Sequence, residues 1–272
     1  MENEKTYAVI TGASKGLGRS YAMQLAQTGH NLILTSYYND GLPALANLIR
    51  TEYDVSVEFF EADLTILEEL KKLITNIKEH YRVNILINNA GIGAACAFGD
   101  ESIDFLDKMI NLNIRALTML CHGILPLLKA EKEAYILNVA SMIAFSPTGY
   151  KSIYPSSKAF VHNFSLCLRE ELKDKGVSVS VLYPGAMKTN KFIRERIKKH
   201  NFLVKSGVVP TPQIARISLH KMFLKKQVII VGWSNYLTWL LMQIIPPSIK
   251  IPLITRANRK EVMMTTTETE IS

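Results

Sequence analysis

The sequence predicts a single α/β domain: a Rossmann-type, doubly wound fold with a parallel sheet of about seven strands flanked by helices. Three observations predict it. Short apolar runs alternate with helix-length amphipathic stretches along most of the 272 residues. The runs are continuously apolar, as strands buried on both faces are. The first run passes directly into a glycine-rich turn that opens a helix. Strict strand–helix alternation with right-handed crossovers then makes a parallel sheet the compact solution.

The strand candidates are Tyr7–Ile10, Asn31–Thr35, Val55–Phe60, Asn84–Ile87, Ala134–Val139, Val177–Leu182 and Val228–Val231. Between them lie the helix candidates Gly16–Thr28, Leu42–Glu52, Ile66–His80, Phe105–Ala130, Tyr154–Lys173 and Pro212–Leu224. In the third helix Ile66, Leu67, Leu70, Leu73, Ile74 and Ile77 recur at helical spacing. Residues 1–233 hold all these elements, and residues 234–272 form a C-terminal extension, not a separate domain. Its apolar stretch Tyr236–Ile245 ends at Pro246-Pro247 and is shorter than the about 20 residues a bilayer span needs. A lid, a subunit contact or an interfacial helix are its open roles, the last supported by Lys250, Arg256, Arg259 and Lys260.

With 48% hydrophobic and 21% charged residues, the chain has the composition of a folded protein, which excludes a disordered one. Cys96, Cys121 and Cys167 show neither disulfide nor metal-ligand spacing, so no metal is expected and a reducing cytoplasm is. The acidic N-terminus lacks a signal-peptide pattern, which argues against secretion. Charge is uneven. Residues 186–272 carry 15 Lys and Arg against 4 Asp and Glu, whereas the rest carry 17 against 20. A solvated basic surface or an anionic partner explains this equally well, and no motif points to nucleic acid.

Two groups of residues carry chemistry. In Thr11-Gly-Ala-Ser-Lys-Gly-Leu-Gly18, Gly12 permits a tight turn, Gly16 a close approach to pyrophosphate, and Gly18 close packing of helix on sheet. The helix N-terminus offers amides to phosphate. A dinucleotide site for NAD places an acid at the end of the second strand; here Ser36 stands there, and Asp40 lies four residues beyond. Further on, Tyr154 and Lys158 share one helix face. An ammonium beside a phenol favours the phenolate, which suits general acid–base work. Ser141 ends the fifth strand, on the sheet edge where open α/β folds bind ligands.

These motifs resemble the short-chain dehydrogenase/reductase family over roughly residues 5–231: Thr-Gly-x-x-x-Gly-x-Gly, Asn88-Asn-Ala-Gly91, Ser141, Tyr154-x-x-x-Lys158 and Pro184-Gly-x-x-x-Thr189. The resemblance implies a catalytic set of Ser141, which orients a carbonyl, Tyr154, which protonates it, and Lys158, which also holds the nicotinamide ribose. Asn113 matches the family's asparagine that keeps a proton relay in place, with Asn111 second. The resemblance further assigns Gly12, Ser14, Lys15, Gly16, Leu17, Gly18, Ser36, Asp63, Leu64, Asn89, Ala90, Gly91, Tyr154, Lys158, Pro184, Gly185 and Thr189 to the cofactor. Lys15 stands where the family's NADP users carry a basic residue, so NADP(H) is expected over NAD(H).

The expected activity is hydride transfer between NADP(H) and a carbonyl or secondary alcohol. Aromatic and branched residues in Lys191–His200 and the apolar extension suggest a hydrophobic ketone, such as a 3-oxoacyl group on an acidic carrier, a steroid-like or a sphingoid substrate. The family is usually dimeric or tetrameric, which implies a homodimer or homotetramer. Two alternatives stand beside this reading: a catalytically silent dinucleotide sensor or scaffold, and a peripheral membrane reductase of lipid.

Overall fold

The computed structural model describes residues 5–93, 96–185 and 208–270, with side chains to Arg259. Seven parallel strands form one sheet in the order β3-β2-β1-β4-β5-β6-β7. They are β1 (Thr6–Thr11), β2 (Asn31–Ser36), β3 (Val57–Glu61), β4 (Arg82–Asn88), β5 (Ala134–Val139), β6 (Val177–Tyr183) and β7 (Val228–Ile230). The strand order reverses between β1 and β4, which opens the crevice where such sheets bind ligands.

The helices α1 (Gly16–Gln27), α2 (Leu42–Glu52) and α7 (Thr211–Phe223) cover one face. The other carries α3 (Leu67–His80), α5 (Leu117–Ala130) and α6 (Ile153–Glu171). Each face closes its own core, and each fully buried Leu or Ile, such as Leu34 on the first and Ile33 on the second, contributes about 1.5–3 kcal/mol. The periodicity seen in the sequence has this cause: in α3, Leu70, Leu73, Ile74 and Ile77 face the sheet. Glu68 and Glu69 in its first turn and Lys78 and His80 in its last complement the helix dipole.

The predicted helix Phe105–Ala130 is three segments: α4 (Ile103–Ile110), a π-helical turn over Asn111–Ala116, and α5. Ser102 starts α4 by accepting the Phe105 amide. The extension is two helices, α8 (Trp233–Ile244) and α9 (Pro247–Glu270), parted at the Pro246-Pro247 pair. Cys96, Cys121 and Cys167 are free thiols.

Candidate active site

The cofactor end is built almost wholly from backbone. Gly12 (φ +64°) and Gly16 (φ +54°) take left-handed conformations that bend β1 into α1. A Cβ on Gly18 would lie 2.0 Å from the Gly12 carbonyl oxygen, so only glycine lets α1 start this close to the turn. No side chain caps α1 at Lys15, and its first amides are left for an anion. Across the crevice, the Thr11 hydroxyl accepts the Asn89 and Ala90 amides at 3.0 and 2.9 Å. The Asn89 amide group donates back to the Thr11 and Gly12 carbonyls. Asn89 and Ala90 thus fix the glycine turn against β4.

Ser36 ends β2 and is buried, its hydroxyl donating to the Tyr37 carbonyl. Lys15 is exposed and pairs with Asp40 at 2.5 Å. The acid displaced four residues from the expected position therefore meets the cation predicted to receive phosphate. Asp63 accepts both the amide and the hydroxyl of Thr65 through one oxygen. Ser14 is buried in the turn. Leu17 and Leu64 bury their side chains in the two cores, which leaves their backbones to a ligand.

At the catalytic end the π turn sets Asn113 inward, almost fully buried; single π turns often mark functional positions. Its Nδ2 donates to the Ile92 carbonyl and the Ser157 hydroxyl, and its Oδ1 accepts the Ile92 amide. Asn111 instead bonds Asp107 on its own helix surface. Asn113 so holds the segment Gly91–Gly93, which follows β4, against α6. There a Cβ on Gly93 would strike the Tyr154 ring at 2.7 Å, and one on Gly91 would sit 3.3 Å from the Lys158 Nζ. Lys158 donates to the Val139 carbonyl at 2.9 Å, two residues before Ser141, and its Nζ lies 6.0 Å from the Tyr154 ring centre. Burial pushes this ammonium down to about 8. Ser141 leaves β5 in extended conformation and caps a short 3₁₀ turn, Met142–Phe145, by accepting the Ile143 amide.

The glycine turn, residues 89–91 and Ser141 follow the carboxyl ends of β1, β4 and β5, and Ser36 and Asp63 lie at those of β2 and β3. Pro184 and Gly185 join them from β6: the Pro184 carbonyl accepts the Met142 amide, and Gly185 packs on Asn235 of α8. Thr189 and the segment Lys191–His200 lie outside the described residues.

The sequence did not disclose a second layer of contacts. Asn88, Asn138 and Ser165 form a buried chain of hydrogen bonds from β4 through β5 to α6. More unexpectedly, α9 fastens the loop between Ser141 and Tyr154. The Thr255 hydroxyl accepts the Gly149 amide at 3.0 Å, and Asn258 donates to the Thr148 hydroxyl at 2.8 Å while accepting from Lys151. The Met242 sulfur accepts the Ser146 hydroxyl. A polar pair three residues apart on a helix was the available signal, but such a pair names no partner.

A glycine-shaped phosphate turn at the switch point, with a phenol and a buried ammonium across the crevice, defines a dinucleotide-dependent oxidoreductase. The short chain dehydrogenase family model matches residues 6–200, and the chain belongs to that family. It is 30% identical over 261 residues to the very-long-chain 3-oxoacyl-CoA reductase of Anas platyrhynchos, covering 93% of this chain and 80% of that one. The short-chain dehydrogenase from Sphingobium yanoikuyae in complex with NADPH superposes with a TM-score of 0.76 at 31% identity, over 89% of this chain and 96% of that one. The bulky-bulky ketone specific alcohol dehydrogenase from Comamonas testosteroni gives 0.74 at 29% identity, over 90% and 96%.

Proposed function

We propose that this protein is an NADP(H)-dependent reductase of a bulky apolar ketone, with a 3-oxoacyl thioester, free or on an acidic carrier, as the first substrate class. Steroid-like and sphingoid ketones come second. The observation that carries the catalytic part is the buried Lys158 ammonium at the end of β5, one helical turn from Tyr154. The glycine cradle and uncapped α1 terminus fit a dinucleotide, and when bound NADPH supplies the hydride.

The chain's own residues do the rest. Tyr154 donates its phenolic proton to the substrate oxygen as charge develops there, and Lys158 stabilises the phenolate that remains. Ser141 donates a hydrogen bond to the same oxygen and fixes the carbonyl. Asn113 positions the Gly91–Gly93 segment that backs the Tyr154 ring. Lys15 and the missing acid at Ser36 support the phosphorylated cofactor, as do the NADPH and NADP complexes among the structural neighbours. The ketone class rests on the names of the duck and Comamonas proteins and on the partly buried Phe145 and Trp239, which pack together at the 3₁₀ turn after Ser141. A cytoplasmic homodimer or homotetramer, peripheral to the membrane, completes the reading.

The test is NADPH oxidation with a panel of 3-oxoacyl thioesters, steroid ketones and aldehydes. Tyr154→Phe is expected to lower kcat by about 10²–10⁴ and to leave the NADPH Kd unchanged. Equal turnover in the variant removes Tyr154 as the acid. Preference for NADH overturns the cofactor assignment alone, and tight NADPH binding without turnover of any carbonyl favours the sensor.

A further inference from the structure

Between Trp233 and Arg259 the sequence holds three cations, Lys250, Arg256 and Arg259, and no carboxylate. In α8 the large apolar residues Trp233, Leu237, Leu240, Leu241 and Ile244 recur at the spacing of one helical face. That face points outward. Trp233 is 76% exposed and Ile244 70%, and the stripe runs on through Ile249 to Leu253, 64% exposed, on α9. The opposite face of α8 is already occupied: Trp239 packs on Phe145, and Asn235 on Gly185. Covering the body of the protein therefore accounts for only half of this helix. An exposed apolar strip of this length marks an interaction surface.

Three occupants can be compared by charge and length. A bilayer span is excluded for the described helices, none of which is long and apolar enough to cross a membrane. A second copy would bring this face onto itself about a two-fold axis. Arg256 and Arg259, both exposed, would then be pressed against the same helices of the other copy, which hold no carboxylate between Trp233 and Arg259 to pair them. An anionic lipid surface meets both demands: hydrocarbon for the stripe and headgroup charge for the arginines. Trp233 and Tyr236, at the start of the stripe, have the apolar body and polar tip that suit the interfacial layer.

We propose that the outward face of α8 and α9 docks the protein on an anionic bilayer surface. The inner face of the same helices walls the 3₁₀ turn after Ser141, so the site mouth is brought next to lipid. Docking depends on the surface alone and stands whether or not the chain reduces ketones.

The test is sedimentation of the full chain with vesicles of phosphatidylcholine alone and of phosphatidylcholine with phosphatidylglycerol. Binding to the anionic vesicles is expected, and Leu237→Glu with Leu241→Glu is expected to weaken it by about tenfold or more. Both leucines are exposed, so unchanged circular dichroism and NADPH affinity report an intact fold in the variant. Arg256→Glu with Arg259→Glu should abolish the preference for anionic over neutral vesicles. No binding to either vesicle overturns the proposal, as does binding that the leucine variant leaves intact. A variant that halves the mass in analytical ultracentrifugation without altering lipid binding assigns the face to a second copy instead.

Discussion

At the β1–β4 end of the site, the parts are held by glycine backbone and by contacts between neighbouring strands; at the β5–β6 end they are held by side chains brought from over a hundred residues away. Gly12, Gly16 and Gly18 shape the first end within seven residues of one another. Thr255 and Asn258 reach the second from the last helix. The first arrangement tolerates no added atom, whereas the second tolerates substitution but depends on a remote element staying docked. The two halves are therefore expected to fail differently.

Gly18→Val tests the local half most severely, because the new Cβ meets the Gly12 carbonyl oxygen at 2.0 Å and backbone must move. A loss of about 3 kcal/mol or more is expected in denaturant unfolding, together with loss of NADPH binding. Unchanged NADPH affinity would mean that the glycine turn is not the phosphate cradle.

Lys158 joins the halves and reports through pH. Burial lowers it from 10.5 to about 8. Between those values the unfolded chain keeps a proton that the folded chain has released, so folding becomes more favourable as pH rises through the window. The gain in the cofactor-free protein is on the order of 3 kcal/mol, and below pH 8 none of it is present. Lys158→Met should be the more stable protein at pH 7 and lose this extra pH dependence. Parallel stability profiles for the two proteins would show that the ammonium is solvated.

Asn258→Ala tests the remote half. Removing its bonds to Thr148 and Lys151 should cost about 1–2 kcal/mol and raise the substrate KM while leaving the NADPH Kd alone. Equal effects on both constants would erase the distinction between the halves. The smallest effect is expected at Asp40, whose pairing neutralises Lys15. Asp40→Ala should tighten NADPH relative to NADH by about two- to threefold, the scale of an exposed ion pair.

The same division decides what could be read in the sequence. The strand–helix alternation, the glycine turn and the Tyr154–Lys158 spacing are short-range patterns, and the fold follows from them. Asn113 could be told from Asn111 only through the family resemblance, since the π turn that buries one and leaves the other half-buried has no spacing signature. Asp40 was visible as an acid beyond the end of β2, but not as the partner of Lys15, 25 residues away. The α9 contacts join positions 106–110 apart, and helical periodicity tells which face is covered without telling by what.

The clasp of α9 on the Thr148–Lys151 loop also orders the making of the molecule. Every strand of the sheet, together with Ser141, Tyr154 and Lys158, precedes residue 247 in the chain. A ribosome-bound chain can thus close its sheet and seat a dinucleotide while the loop between serine and tyrosine is still unfastened. The fastening of that loop therefore comes last, after the sheet and the glycine turn already hold every residue they are built from.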